Sequence, residues 1–163
     1  MSDLLSKRKS FVFLSLLCFS LADVRDGLGP FLGVYLQGEG WRPDEIGFTM
    51  TAGGLAGLVC TTPLGALADY TRYKRSLLAF SILLIVIACG IIFFWSGALA
   101  ATGSKVLSCA AAAAIMPSLT GITLGMTGQK DFPARLGRNE AWSHAGNAVT
   151  ALLGGIIGYH FGI

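Results

Sequence analysis

The stretch Gly65–Leu77, which reads GALADYTRYKRSL, decides the fold of this chain. It contains one acid and three bases, at Asp69, Arg72, Lys74 and Arg75. The segments on either side, 46–68 and 76–104, contain no Asp, Glu, Lys or Arg. A basic cluster between two uncharged segments of about 20 residues or more predicts a short cytoplasmic loop between two membrane helices. A solvated turn between two buried helices of a soluble protein is the alternative, but soluble cores rarely need uncharged runs of this length.

The composition also indicates a membrane protein. Of the 163 residues, 53% are hydrophobic and 13% are charged, and the mean hydropathy is +0.66, whereas a soluble domain carries about 25% charged residues. The net charge of +3 is modest and the bases cluster in loops, so nucleic-acid binding has little support. The cysteines all lie in apolar runs, at Cys18, Cys60, Cys89 and Cys109. We expect them to be free, and we predict neither a metal site nor a cofactor.

Five apolar spans predict an all-α integral membrane fold with about five transmembrane helices in one domain over residues 1–163. The predicted spans are 10–37, 46–68, 76–96, 106–128 and 140–163. In the fifth span, Gly154, Gly158 and Gly162 repeat every four residues, which predicts close contact with a neighbouring helix.

The first span has an alternative interpretation as a cleavable signal peptide. A basic tail at 7–9, an apolar run at 11–21 and the small residues of Ser20–Ala22 suit cleavage before Asp23. However, apolar and aromatic residues continue over 27–37, which favours a single membrane span of about 28 residues.

The bases of the loops predict the orientation of the chain. Three lie in the N-terminal tail, three in the loop after the second span and three in the loop after the fourth span. The two remaining loops hold only Arg42 and Lys105. Nine bases against two place the N-terminus in the cytoplasm and residue 163 outside, in the cell (inner) membrane.

The basic loop resembles the loop signature, known as motif A, of the major facilitator superfamily of secondary transporters. The residues on its first, third, fifth, tenth and thirteenth positions are Gly65, Leu67, Asp69, Lys74 and Leu77. Tyr70, Arg72 and Tyr73 depart from the signature, and Arg72 takes the place of its central glycine. The signature is strengthened by its place between the second and third spans, where the family has it. The resemblance extends over essentially the whole chain.

The resemblance implies a fold of two six-helix halves, of which this chain matches the first five helices. We therefore expect a truncated product, or a subunit of a split transporter that works beside a second polypeptide supplying the missing helices. Alone, it is not expected to transport. The resemblance also implies a gating loop, formed by Gly65, Asp69, Arg72, Lys74 and Arg75, that contacts a helix end of the opposite half. The preference of basic residues for cytoplasmic loops would by itself explain Arg72, Lys74 and Arg75, but it explains Asp69 less well.

Three charged residues near the middle of the first span are the main site candidates. Asp23, Arg25 and Asp26 lie where each ionised side chain costs on the order of 2.5–3.5 kcal/mol. Asp23 and Asp26 share a helix face because they are three residues apart. We predict a substrate or proton-coupling site in which Arg25 neutralises one acid and the other carries a proton. A structural ion-pair cluster that fixes the first helix to its neighbours is the alternative.

A second polar stripe opens the fifth span. Glu140, His144 and Asn147 fall on one helix face. His144 and Asn147 are candidates for lining a central cavity, since an imidazole can exchange protons. We prefer the alternative, in which Glu140 pairs with loop bases and the other two bond to neighbouring helices.

The predicted function is therefore transmembrane transport of an unidentified small molecule, with ion coupling, by part of a secondary transporter. The family's drug-antiporter signatures are not evident, because the fourth span lacks an intramembrane arginine and the fifth lacks a Gly-Pro pair. A non-transporting membrane protein, whether a decayed product or an accessory subunit, is the alternative. An enzyme is not predicted, since no nucleophile–base pair or metal-ligand spacing recurs.

Overall fold

A computed structural model describes residues 2–25, 31–95 and 97–161. Within these ranges the chain forms six α-helices and no strand. They are α1 (Ser2–Arg25), α2 (Phe31–Gly38), α3 (Pro43–Tyr70), α4 (Lys74–Phe94), α5 (Ala98–Ala112) and α6 (Ile115–Phe161). The predicted all-helical fold is confirmed.

Three helical stretches of the described chain are long and apolar enough to cross a bilayer. They are Pro43–Tyr70, Lys74–Phe94 and Ala98–His160, with 28, 21 and 63 residues. A straight helix as long as the third would extend over about 95 Å, about three times the hydrocarbon thickness. It therefore holds more than one crossing, and it comprises α5 and most of α6. A shorter apolar run, Lys9–Ala22, lies in α1.

The chain divides into two compact units. We call Met1–Asp23 with Thr123–Gly162 the terminal unit, and Val24–Ile122 the central unit. A small apolar core in the central unit joins α2 to α5 through Leu32, Leu36 and Ala101.

In the central unit, α3 and α5 run parallel. The contacts pair Thr49 with Thr102, Gly53 with Lys105, and Gly57 with Cys109, so the numbers rise together along both helices. Helix α4 runs antiparallel to α5 and the start of α6. The Ser104 hydroxyl donates to the Ala88 carbonyl and Lys74 packs over Gly121, so the residue numbers fall along α4 as they rise along α5 and α6. Alternating directions are what successive membrane crossings produce.

A break at Ala113 and Ala114 separates α5 from α6, although alanine is the best helix former. The cause is Pro117. A proline within a helix collides with the carbonyl four residues earlier, here that of Ala113. Helix α6 restarts at Ile115, so Pro117 falls in a first turn, where a missing N–H costs little. The predicted fourth span, 106–128, runs through this break.

Helix α6 is itself interrupted at Gly128, whose φ of 72° and ψ of 173° are not helical. The Asn139 side-chain amide donates to the Thr123 hydroxyl at 2.9 Å, whereas residues 16 apart in a straight helix lie about 24 Å apart. The chain therefore turns back on itself here. Glycine adopts a positive φ without strain, which suits Gly128 to the turn.

In the terminal unit, α1 runs parallel to the part of α6 that follows Gly128. The paired residues are Phe11 and Ser15 with Arg135, Phe19 with Trp142, and Ala22 with Gly146.

Candidate functional site

The basic loop is a three-residue connection between α3 and α4. The Thr71 N–H donates to the Leu67 carbonyl at 2.9 Å, and the Tyr73 N–H donates to the Thr71 hydroxyl at 3.2 Å. No residue other than glycine has a positive φ in the described chain. This turn therefore needs no glycine, which explains how Arg72 occupies the place of the signature's central glycine.

Lys74 fastens this loop to two other elements. Its ammonium donates to the Ala68 carbonyl, one of the last carbonyls of α3, which the helix itself leaves unbonded. A cation there also complements the negative end of the helix dipole. The lysine stem passes over Gly121, where an added Cβ would lie 2.6 Å from the lysine Cδ. Lys74 is therefore a structural tie between α3, α4 and the start of α6.

The other charges of the loop point outward. Asp69, Arg72 and Arg75 are exposed, and none of them forms an ion pair within the described residues. Gly65 is half-buried, and a Cβ there would meet nothing within 4 Å. The exposed carboxylate and guanidinium groups are thus free to meet another surface.

The candidates of the first span fall at the edge of the described chain. Asp23 and Arg25 belong to the last turn of α1, but their side chains lie outside what the structure describes, as does the whole of Asp26. Their assignment as a substrate or proton site stays a prediction.

Two of the three residues in the polar stripe of α6 are exposed. The side chains of His144 and Asn147 are exposed and that of Glu140 is half-buried. The side that packs against α1 instead carries Gly146. No bond from His144 or Asn147 to a neighbouring helix is present among the described residues.

Arg135, which the sequence identifies only as a loop base, holds α1 in place. Its Nη2 donates to the Phe11 carbonyl at 2.6 Å and to the Ser15 hydroxyl at 2.7 Å, and its guanidinium lies 5.1 Å from the centre of the Phe11 ring. An open cavity of about 390 Å³ adjoins it, lined by Phe11, Met126, Thr127, Asp131, Ala134, Arg135 and Arg138. Because both hydrogen bonds of its Nη2 go to residues of α1, Arg135 acts mainly by holding α1 against α6.

Asn139 forms the polar contact that closes the turn at Gly128. It is 5% exposed, and its amide nitrogen bonds to Thr123 while its amide oxygen has no partner in the described chain. This hydrogen bond joins the two parts of α6 on either side of Gly128 and stabilises the turn between them.

Lys105 is the largest departure from the sequence prediction. It was predicted to lie in the loop before the fourth span, but it lies inside α5 and is 8% exposed. Its stem packs against Gly53 of α3, where an added Cβ would lie 2.7 Å from the lysine Cγ. The loop assignment was wrong because the apolar residues 98–101 already belong to the helix. Those residues were the signal that could have revealed it.

Comparison with known proteins adds the family. Residues 11–163 match the family described as Major Facilitator Superfamily. The chain is also similar to two proteins of Mycobacterium tuberculosis, from strains CDC 1551 / Oshkosh and ATCC 25618 / H37Rv, each described as an uncharacterized MFS-type transporter. Each is 43% identical over 150 residues, which cover 91% of this chain and 36% of the relative. The chain thus spans about a third of the length of these relatives. No solved structure matches it.

Proposed function

This chain belongs to the Major Facilitator Superfamily, and we propose that it forms part of an ion-coupled secondary transporter of a small molecule. The observation that carries the proposal is the family match over residues 11–163. The helix directions support it, because parallel α3 and α5 and parallel α1 and α6 agree with alternating crossings. Transporters of this kind move a substrate by rocking one helical half against another around a midplane site.

The exposed charges of the basic loop suit a gate. Asp69, Arg72 and Arg75 have no ion-pair partner among the described residues, while Lys74 is already committed to Ala68. We infer that Asp69 and the two arginines contact a helix end of the opposite half in one conformation, and that Lys74 keeps the loop rigid. The charge of a helix end is complementary to such side chains.

The proposed orientation has the N-terminus and the basic loop in the cytoplasm. Removing Lys105 from the loops leaves Arg42 as the one base of the described chain expected outside, so the bias toward the cytoplasm increases. We infer a location in the cell (inner) membrane.

Deletion of the native gene tests transport. Cells that lack the gene are compared with cells complemented from its native locus, by measuring accumulation of a panel of labelled small molecules. We expect at least one compound to accumulate only in the complemented cells, and a protonophore or removal of Na⁺ to abolish that accumulation. Identical accumulation across the panel, with the protein detected in the membrane, would favour a non-transporting membrane protein.

Cysteine labelling tests the orientation. In a background with the four native cysteines replaced, Glu39→Cys is expected to react with a membrane-impermeant maleimide in intact cells. Arg72→Cys is expected to react only after permeabilisation, because positive-inside topology places its loop in the cytoplasm. Labelling of Arg72→Cys in intact cells would reverse the proposed orientation.

A further inference from the structure

The open cavity beside Arg135 has two arginines in its wall. Asp131, Arg135 and Arg138 line it from α6, and residues four and three positions apart share one face of a helix. Phe11 of α1 and Met126 add apolar surface to the wall. The volume of about 390 Å³ falls in the range of about 300–1,000 Å³ that small-molecule sites occupy. All the lining residues belong to the terminal unit, so one compact unit forms the cavity.

The positive charges of these two arginines have no anionic partner in the described chain. The Arg135 Nη2 bonds to the Phe11 carbonyl and the Ser15 hydroxyl, which are both neutral. Its Nε is buried and has no hydrogen-bond partner among the described residues. Neither Arg135 nor Arg138 lies within ion-pair distance of an acid that the structure describes. Because like charges three residues apart on a helix repel each other, an anion in the cavity would stabilise both.

The cavity lies at the end of α1 where the apolar part of the helix begins. Phe11 is the third residue of the apolar run Lys9–Ala22, and the basic residues 7–9 precede it. On α6, the exposed Lys130 and Asp131 lie just after the turn between its two parts. Because Asp131 is exposed, water and salt screen the charge of its carboxylate. Basic pockets between membrane helices, and basic clusters beside a span, recognise the headgroups of anionic lipids.

We propose that this cavity binds the phosphate of an anionic phospholipid, and that Arg138 holds it. Arg138 is exposed, and a guanidinium suits a phosphate because it donates two parallel hydrogen bonds to two oxygens. Arg135 adds a second positive charge, which acts at a distance because its Nε is enclosed and its Nη2 bonds to α1. Phe11 and Met126 contact the glycerol and the first acyl carbons, which a free phosphate lacks. The bound lipid therefore holds α1 to α6, whichever molecule is transported.

Ligand-dependent melting of the purified full chain in a neutral detergent tests the proposal. Phosphatidylglycerol is compared with phosphatidylcholine of the same acyl chains, whose choline neutralises the phosphate. Glycerol phosphate, which carries the headgroup chemistry without acyl chains, distinguishes a lipid from a free phosphate. At about a hundredfold excess over Kd, phosphatidylglycerol is expected to raise Tm by roughly 5–10 °C. Phosphatidylcholine and glycerol phosphate are expected to leave Tm nearly unchanged.

Two variants of the cavity wall are expected to lose this shift. Arg138→Gln removes the proposed phosphate donor. Ala134→Leu keeps every charge and fills part of the cavity, since Ala134 lines it and is exposed. Lys130→Gln is the matched control, because it removes an exposed positive charge nearby that does not line the cavity, and it is expected to keep the full shift. If Arg138→Gln fails to fold, Ala134→Leu decides the test.

Four outcomes would overturn the proposal. The first is a phosphatidylglycerol shift that survives both cavity variants. The second is an equal shift with phosphatidylcholine, which would show binding through the acyl chains alone. The third is an equal loss in Lys130→Gln, which would show general attraction to a basic surface. The fourth is a full shift with glycerol phosphate, which would make a free phosphate the ligand in place of a lipid.

Discussion

Gly146→Leu is expected to prevent α1 from packing on α6 and to leave little folded protein. A Cβ at this position would meet the Phe19 backbone carbonyl, and it would lie 2.9 Å from the Ala22 Cβ. A backbone atom cannot move aside as a side chain does, so the two helices must separate. Forced overpacking of this kind costs about 3 kcal/mol. Recovery of monodisperse protein after detergent extraction, together with Tm, measures the effect.

Gly155→Leu is the matched control, since it lies on the same helix, is exposed, and a Cβ there meets nothing within 4 Å. We expect it to keep the wild-type yield and Tm. Equal behaviour of the two variants would show that the contact between Gly146 and α1 does not stabilise the protein.

Asp26→Asn is expected to reduce coupled accumulation to the level of the deletion strain while the protein still reaches the membrane. Two acids and one arginine near the middle of the predicted first span cannot all stay ionised and unpaired at tolerable cost. We expect Arg25 to neutralise one acid and the other to exchange a proton with the cavity, which an amide cannot do. Asp26 is the stronger candidate because Gly27, Gly29 and Pro30 follow it in the sequence. Accumulation with and without a protonophore, in cells complemented from the native locus, measures the effect.

Asp23→Asn is the matched substitution on the same predicted helix face. If both variants keep wild-type accumulation and pH dependence, the cluster has no part in coupling. If both fail to appear in the membrane, the ion-pair cluster that fixes the first helix is the better explanation.

The sequence predicted the parts of this fold that follow from local composition. Uncharged runs on both sides of the basic loop predicted two helices there, and α3 and α4 occupy them. The predicted fourth span begins after Lys105 because the charge was taken as part of a loop, although the apolar residues 98–101 indicate an earlier helix start. The burial of the Lys105 stem depends on its contact with Gly53, which lies on another helix. Nothing in the local sequence reports that contact.

The polar stripe of α6 shows the limit of helical periodicity. A helix turns about 100° per residue, so a stripe chosen one residue too late faces a different direction. Glu140, His144 and Asn147 share a face, but the buried positions are Asn139 and Gly146. Only the neighbouring α1 determines which face is buried, and α1 lies more than a hundred residues earlier in the chain.

That distance along the chain sets a delay during synthesis. Arg135 bonds to Phe11, 124 residues upstream, and ribosomes add about 5–20 residues per second. The first helix is therefore synthesised roughly 6–25 s before its partner. Over that time the Ser15 hydroxyl has a partner of its own, since it donates to the Phe11 carbonyl within the same helix at 3.1 Å. The Ser15 hydroxyl is thus already bonded before Arg135 is synthesised. Arg135 then donates a further hydrogen bond to this hydroxyl and does not replace the first one.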